Sequence, residues 1–301
     1  MTQLFQTDSI ASQHRRRAIL VIAHPGHELR VHGWLETTVR EVWILTDGSG
    51  HTGRSRINST TRVLEPTGAV PGRVYGYISD GDLYNTVLGL NHQPFIDLVD
   101  KLAASILQEQ VDCIAGDAEE GYNPGHDICR LIINAAVKLV KRKSSKLVRN
   151  YDFTLVAPPD HCPEDLHGRS LWLNLDDAAL ARKLLAARNY PELQAEVEMA
   201  LNGAGNPALT GHAKLAERFR TISGVTDASH FRVECLRPVN SHSLANTSFE
   251  DDPPFYEQYG EKQVKSGYYK QVLRYNEHML PLARVLDSHV ERNSQWRASR
   301  S

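Results

Sequence analysis

The stretch Ala18-Ile-Leu-Val-Ile-Ala-His-Pro-Gly-His-Glu28 is an apolar run that stops abruptly at two imidazoles, a proline, a glycine and a carboxylate. An apolar run of this length, bounded by a turn, reads as a buried central strand. His24, His27 and Glu28 then fall in the turn at the strand's carboxyl end, where open α/β sheets bind their ligands. His-x-x-His in a rigid turn can offer two neutral nitrogens to one metal ion, and zinc favours imidazole. The alternative is a polar strand-to-helix loop whose histidines cap the helix that follows.

Outward from this strand the pattern alternates between strand and helix. Glu28 to about Thr38 reads as a helix, and Glu41–Thr46 as a second strand closed by the turn Asp47-Gly-Ser-Gly50. A third strand is expected around Arg73–Ile78, ending in Ser79-Asp80-Gly81-Asp82. Pro94–Gln110 carries Phe95, Leu98, Val99, Leu102 and Ile106 at helical spacing. A short strand follows at Val111–Ala115, a helix at Ile128–Lys141 and a strand at Phe153–Ala157. Short strands alternating with helices predict a three-layer, Rossmann-like α/β fold with a mostly parallel sheet.

From about Leu171 the character changes. Asp176–Ala187 and Pro191–Leu201 read as amphipathic helices, Thr210–Phe219 as another, and His230–Leu236 as a strand that extends the sheet. Gln263–Leu286 has a long helical pattern, and Glu291–Ser301 reads as frayed. The expected organisation is a disordered arm over 1–17, an α/β body over 18–170, and a helical C-terminal extension over 171–301 packed on that body. Tyr259, Tyr268, Tyr269 and Tyr275 in the extension suit either helix packing or contact with sugar rings.

Composition narrows the function classes. A chain of 301 residues at 41% hydrophobic can bury a full α/β core. Its net charge of -2 gives no general reason to expect nucleic acid as a partner. The four cysteines, Cys113, Cys129, Cys162 and Cys235, are widely spaced, which fits reduced thiols and a cytoplasmic protein. No run of 18 apolar residues exists, so no membrane span is expected. No Gly-x-Gly-x-x-Gly follows the first strand and no Gly-x-Ser-x-Gly surrounds Ser49, Ser79 or Ser241, so neither a dinucleotide site nor a serine nucleophile is supported. His161, His167, His230 and His242 lie in loop-like stretches and are weak candidates for lining a pocket.

The second informative stretch is Gly116-Asp-Ala-Glu-Glu-Gly-Tyr-Asn-Pro-Gly-His-Asp127, between a strand and a helix. Its side chains also gather at the carboxyl edge of the sheet. His126 stands near the start of its helix, among Asp117, Glu119, Glu120 and Asp127. The acids could simply cap the helix. With His24 and His27, however, His126 completes a three-histidine set that leaves a fourth position open, as a catalytic zinc requires.

These motifs resemble the PIG-L/LmbE-type zinc-dependent deacetylases, which remove acetyl groups from N-acetylglucosamine-containing substrates. The family's first strand ends in Ala-His-Pro-Asp-Asp-Glu, and Ala23-His-Pro-Gly-His-Glu28 agrees at four of six places. Thr46-Asp-Gly-Ser-Gly50 is similar to the Thr-x-Gly-x-x-Gly that ends the family's second strand, and Ser79-Asp80-Gly81 to its Asp-Gly turn. Asn123-Pro-Gly-His126 is similar to the later His-Pro-Asp-His. The resemblance spans about Ala18–Ala157. It implies zinc held by His24, His27 and His126, with His27 standing where the family has an aspartate.

The departures bear on the chemistry. Gly26 stands at the place of the family's general base, and Asn123 and Gly125 replace the first His and the Asp of the later motif. Glu120 and Asp127 are the nearest substitutes for proton transfer, Asp47 a more distant one. Glu28 and Asp47 can instead orient a ligand imidazole from behind. The resulting expectation is a zinc hydrolase cleaving the amide bond of a small-molecule N-acyl sugar or glycoconjugate. The rivals are a non-catalytic glycan- or nucleotide-sugar-binding protein, or another hydrolytic or lyase reaction on the same scaffold. The oligomeric state is left open.

Overall fold

The structure is a computed structural model of the 301-residue chain, and it describes residues 3–4, 17–201, 228–239, 249 and 253–298. Its strands are β1 (Gln3–Leu4), β2 (Ala18–Ile22), β3 (Val39–Thr46), β4 (Val70–Ile78), β5 (Cys113–Asp117), β6 (Arg149–Phe153), β7 (Leu171–Asn174) and β8 (Val233–Pro238). The α-helices are α1 (His32–Thr37), α2 (Ile57–Leu64), α3 (Asp80–Leu88), α4 (Gln93–Gln108) and α5 (Pro124–Ser144). They continue with α6 (Asp177–Arg188), α7 (Gln194–Leu201), α8 (Phe255–Lys265) and α9 (Leu280–Ala298).

The sheet runs in the order β1-β7-β8-β6-β5-β2-β3-β4. Strands β6, β5, β2, β3 and β4 are parallel, and β8, β7 and β1 add antiparallel pairs on the β6 side. Every residue of β2 is buried because both sheet faces are covered. Its side chains alternate accordingly. Ile19, Val21 and Ala23 join one core with α4, α5 and α9, while Ala18, Leu20 and Ile22 join the other with α1, α2 and α6. This is the two-sided burial that turns a strand into a continuous apolar run.

The chain proceeds from β2 outward to β3 and β4, then returns to place β5 on the other side of β2. The loops after β2 and β5 therefore leave the sheet in opposite directions, and the crevice between them is the fold's natural ligand position. This switch point brings the His24–Glu28 loop beside the loop that ends at His126. Among the described residues, no helix is long and apolar enough to cross a membrane.

Several elements differ from the sequence reading. The strand expected at 153–157 lies instead at Arg149–Phe153. Residues 155–157 form a loop whose amides bind a side chain, so their apolar character reflects packing rather than pairing. The segment 28–38 divides into a 3-10 turn, His27–Val31, and the short helix α1. The long helix expected at 263–286 is interrupted. Gly267, at φ 77°, closes α8 with its amide on the Val264 carbonyl, a glycine-type helix stop. A π turn at Tyr275–Met279 then leads into α9, which continues to Ala298 where fraying was expected from 291. Helices α2 and α3 and strand β7 were not anticipated. Of the arm expected at 1–17, Gln3–Leu4 pair with Leu173 and Asn174, and the rest up to residue 16 lies outside the described residues. So do the helix expected at 210–219, Ser241 and His242.

Candidate metal centre

The ends of three parallel strands hold the first loop in place. The Ala23 amide donates to Asp117 Oδ2 at 2.8 Å, and the Thr46 amide donates to the Ala23 carbonyl at 2.9 Å. His24 and His27 then flank a tight turn in which Gly26 adopts φ 107°, a conformation that L side chains rarely take. His126 rides on the first turn of α5. That turn is capped by Asn123, whose Oδ1 accepts from the Gly125 amide at 2.8 Å and from the Tyr84 hydroxyl at 3.0 Å.

These loops bring the three imidazoles together edge to face. Ring centres are 5.3 Å apart for His24 and His27, 5.4 Å for His24 and His126, and 4.7 Å for His27 and His126. His24 Nδ1 lies 2.7 Å from Thr46 Oγ1 and 2.9 Å from Asp80 Oδ1. His27 Nδ1 lies 2.9 Å from Asp117 Oδ2. His24 Nε2 and His126 Nδ1 are buried without a hydrogen-bond partner among the described residues. Gly125 makes room for the first of these, since a Cβ there would stand 2.7 Å from His24 Nε2.

The electrostatics favour neutral rings at His27 and His126. Burial pushes His27 below its ordinary value, against the opposing pull of Asp117. Burial, with the neighbouring His27 and His24, holds His126 well below the usual histidine range. For Asp80, burial opposes ionisation. Contacts to His24, Thr46 and the Gly50 amide outweigh it and hold the carboxyl well below the ordinary range. Neutral imidazoles with unpartnered nitrogens are the donor chemistry that zinc takes. Among the described residues, however, no group of three or more His, Cys, Asp or Glu side chains is placed so that it could hold a metal ion as it stands.

The acids singled out from sequence have separate fates. Glu120 turns its carboxylate to the 155–157 loop, accepting from the amides of Leu155 at 2.8 Å, Val156 at 3.1 Å and Ala157 at 3.3 Å. Asp127 Oδ1 accepts from the amides of Glu120 and Gly121 at 3.2 and 3.3 Å, while Oδ2 is buried with no partner among the described residues. Burial, with Glu119 adding to it, holds the Asp127 carboxyl well above its ordinary value. Glu28 accepts from the Gly26 amide at 2.7 Å and the Thr60 hydroxyl at 2.8 Å, and burial pushes it up to about 7. Asp47 Oδ1 accepts from the Ser49 amide at 2.9 Å. The groups behind the rings are therefore Asp80, Thr46 and Asp117, where sequence reading proposed Glu28 and Asp47. Asp80 and Asp117 could have been found as the acids that lie two residues past β4 and at the end of β5.

The position of Gly26 is closed as well as bare. A Cβ there would collide with the Leu193 side chain and stand 3.7 Å from the Tyr190 ring. Cys129 is buried with Sγ 3.6 Å from the Val21 carbonyl, which makes it a core residue. His167 Nε2 lies 2.9 Å from the Cys162 carbonyl, within its own exposed turn.

No protein-family model matches the sequence, and no curated protein matches it significantly. Among solved structures the chain is similar to the A40926 pseudoaglycone deacetylase Dbv21, with a TM-score of 0.45 and 16% identity, covering 77% of this chain and 100% of that one. It is similar to a deacetylase of the teicoplanin biosynthesis pathway in its bog complex, with a TM-score of 0.43 and 12% identity, over 74% of this chain and 97% of that one. For the zinc-inhibited form of teicoplanin deacetylase Orf2 the TM-score is 0.41 and the identity 11%, over the same shares of 74% and 97%. Likenesses this distant say nothing about the roles of individual residues here.

Proposed function

We propose that this protein is a metal-dependent hydrolase that cleaves the amide (N-acyl) bond of a sugar or sugar-bearing metabolite, with His24, His27 and His126 as zinc ligands. The observation that supports this reading is the meeting of three imidazoles, with ring centres 4.7–5.4 Å apart, at the switch point of the sheet. Two imidazoles on one tetrahedral zinc, each with its nitrogen ~2.0–2.1 Å from the ion, have ring centres roughly 5 Å apart. The rings are thus close enough, and their donor nitrogens must turn to converge. The substrate class follows from the motif resemblance, Ala23-His-Pro-Gly-His-Glu28 above all.

When bound, zinc supplies Lewis acidity, polarising a carbonyl and making water nucleophilic near neutral pH. Thr46 and Asp80 hold His24, and Asp117 holds His27. Of the two acids beside His126, Asp127 is the one whose Oδ2 has no partner among the described residues. We assign to it the transfer of a proton from water to the leaving amine. Glu120, the other candidate, is already occupied by three backbone amides.

One observation favours the rival reading of a non-catalytic glycan- or nucleotide-sugar-binding protein: Leu193 fills the space beside Gly26, where the resembling family has its base. Elemental analysis of protein purified without chelators, with acetate release from a panel of N-acetyl sugars, separates the two. About one zinc per chain with acetate release supports the hydrolase. Sugar binding without acetate release, with zinc present, supports the binding protein. A chain without transition metal that zinc does not stabilise thermally removes the metal centre altogether.

A further inference from the structure

We infer that Asp117 and Asp80 are positioning residues that set the metal affinity of the histidine cluster, by fixing which nitrogen His27 and His24 present to the ion. The inference rests on the metal-binding reading above. Its starting point is a matter of hydrogens. Asp117 Oδ2, on a fully buried side chain, lies 2.9 Å from His27 Nδ1. A carboxylate oxygen at that distance accepts, so the hydrogen of the neutral ring sits on Nδ1 and the lone pair on Nε2.

For His24 the assignment rests on the hydrogen bond to Thr46, with Asp80 as a charged neighbour. Asp80 Oδ1 lies 2.9 Å from Nδ1, and Thr46 Oγ1 lies 2.7 Å from the same atom. The Thr46 hydroxyl has its hydrogen directed away from His24, toward the Ala23 carbonyl at 3.1 Å or the Asp80 carboxylate. Its oxygen can therefore only accept from His24, and Nδ1 must be the donor. His24 Nε2 is the ring's other nitrogen, buried and without a partner among the described residues. Both rings thus present the same nitrogen for the same reason.

Each aspartate is itself fixed by the backbone of another loop. Asp117 Oδ2 also accepts from the Ala23 amide at 2.8 Å, and Asp80 Oδ2 from the Gly50 amide at 2.6 Å. The two carboxylates come from opposite sides of β2, one ending β5 and one opening the helix that follows β4. They anchor the Nδ1 side of each ring to the sheet and leave the Nε2 side to face the ion. A carboxylate behind an imidazole also raises the basicity of the opposite nitrogen, and loss of such a partner weakens metal binding by about 10–100-fold.

The test uses the full-length chain with Asp117→Asn and Asp80→Asn, which keep shape and remove charge. Zinc affinity is measured by competition with a chromophoric chelator, and the thermal midpoint of the metal-free form is recorded alongside. Each substitution is expected to weaken zinc binding by about 10–100-fold with little change in the metal-free midpoint. A purely structural role would lower the midpoint and leave affinity unchanged, and that result overturns the inference. Wild-type zinc binding matched within about threefold by both variants overturns it too, and leaves the metal reading intact. A wild-type chain that takes up no zinc defeats both. Should the variants not fold, 15N imidazole shifts of the metal-free wild type decide: Nδ1–H tautomers for His24 and His27 uphold the assignment, and Nε2–H tautomers overturn it.

Discussion

Leu193 packs into the space that a side chain at position 26 would enter, and Gly26 itself sits at φ 107°. The two facts reinforce each other. The backbone excludes ordinary side chains and the neighbour has taken the vacant volume. Leu193 belongs to the short turn Pro191–Leu193, and Tyr190 before it bonds to the Thr60 hydroxyl at 2.9 Å. Thr60 in turn donates to Glu28 at 2.8 Å. A connected set of side chains is therefore built around the absence of an acid at position 26.

Gly26→Asp is accordingly expected to destabilise the protein without supplying a base. A non-glycine residue in this conformation costs about 1–3 kcal/mol, and displacing a packed side chain about as much again. Urea unfolding should show the combined loss, on the order of 2–5 kcal/mol. A variant as stable as its parent would mean that Leu193 yields easily and that position 26 is open after all.

Glu120 gives a pH dependence. Burial raises its carboxyl above the ordinary value of 4.5, although the amides of Leu155, Ala157 and Val156 pull the other way. The folded protein therefore holds a proton that the unfolded chain has already released. Its stabilising contribution is full below the ordinary value and is lost as pH rises through the raised folded value. Relative to Glu120→Gln, which does not titrate, the wild type should lose stability as pH climbs from 4.5 into that window. Denaturant unfolding at several pH values measures the gap; a gap that stays constant with pH would contradict the burial argument.

Lys183 and Glu234 form the ion pair that docks α6 on the far face of the sheet. Their side chains are only 3% and 1% exposed and meet at 2.8 Å. Glu234 also accepts from the Gly33 and Trp34 amides at 2.8 and 2.9 Å, and Lys183 donates to the Arg30 carbonyl at 2.9 Å. Lys183→Met strands a buried carboxylate and should reduce stability by about 3–5 kcal/mol. Adding Glu234→Gln should recover part of that loss. Strict additivity of the two changes would show that the pair is not coupled.

The fold was legible where local pattern and tertiary role agreed. The run Ala18–Ala23 reads as a central strand because both its faces are buried, and it is one. Sequence misled where apolar residues serve a loop. Phe153–Ala157 carries strand-like residues, yet Glu120, more than thirty positions earlier, takes the amides of 155–157. The true strand, Arg149-Asn-Tyr-Asp-Phe153, holds polar residues because Asn150 bonds to Arg130 and Asn134, and Asp152 to Arg237. At the candidate site, the gathering of His24, His27 and His126 could be read from strand ends alone. The acids behind them also stand at strand ends, but which ring each one meets could not be read. Asp80 and Asp117 reach the rings across loop-to-loop contacts that no spacing in the sequence records, whereas the acids nearest in sequence serve their own loops.

The last prediction separates ion binding from proton transfer. His27→Ala leaves two imidazoles, a remnant that holds zinc weakly, so elemental analysis should find the site largely empty. Asp127→Asn keeps all three rings, and zinc content should stay near one per chain. Its backbone contacts to Glu120 and Gly121 run through Oδ1, which an asparagine oxygen can replace. What the substitution removes is the proton-carrying capacity of Oδ2. Acetate release from N-acetyl sugars should then fall by about 10²–10⁴-fold at unchanged zinc content. Glu120→Gln should leave the rate of the folded, zinc-loaded protein close to that of the wild type, because its carboxylate serves the 155–157 loop. If the Glu120 variant loses the rate and the Asp127 variant keeps it, proton transfer belongs to Glu120, and the 155–157 loop must open during the reaction.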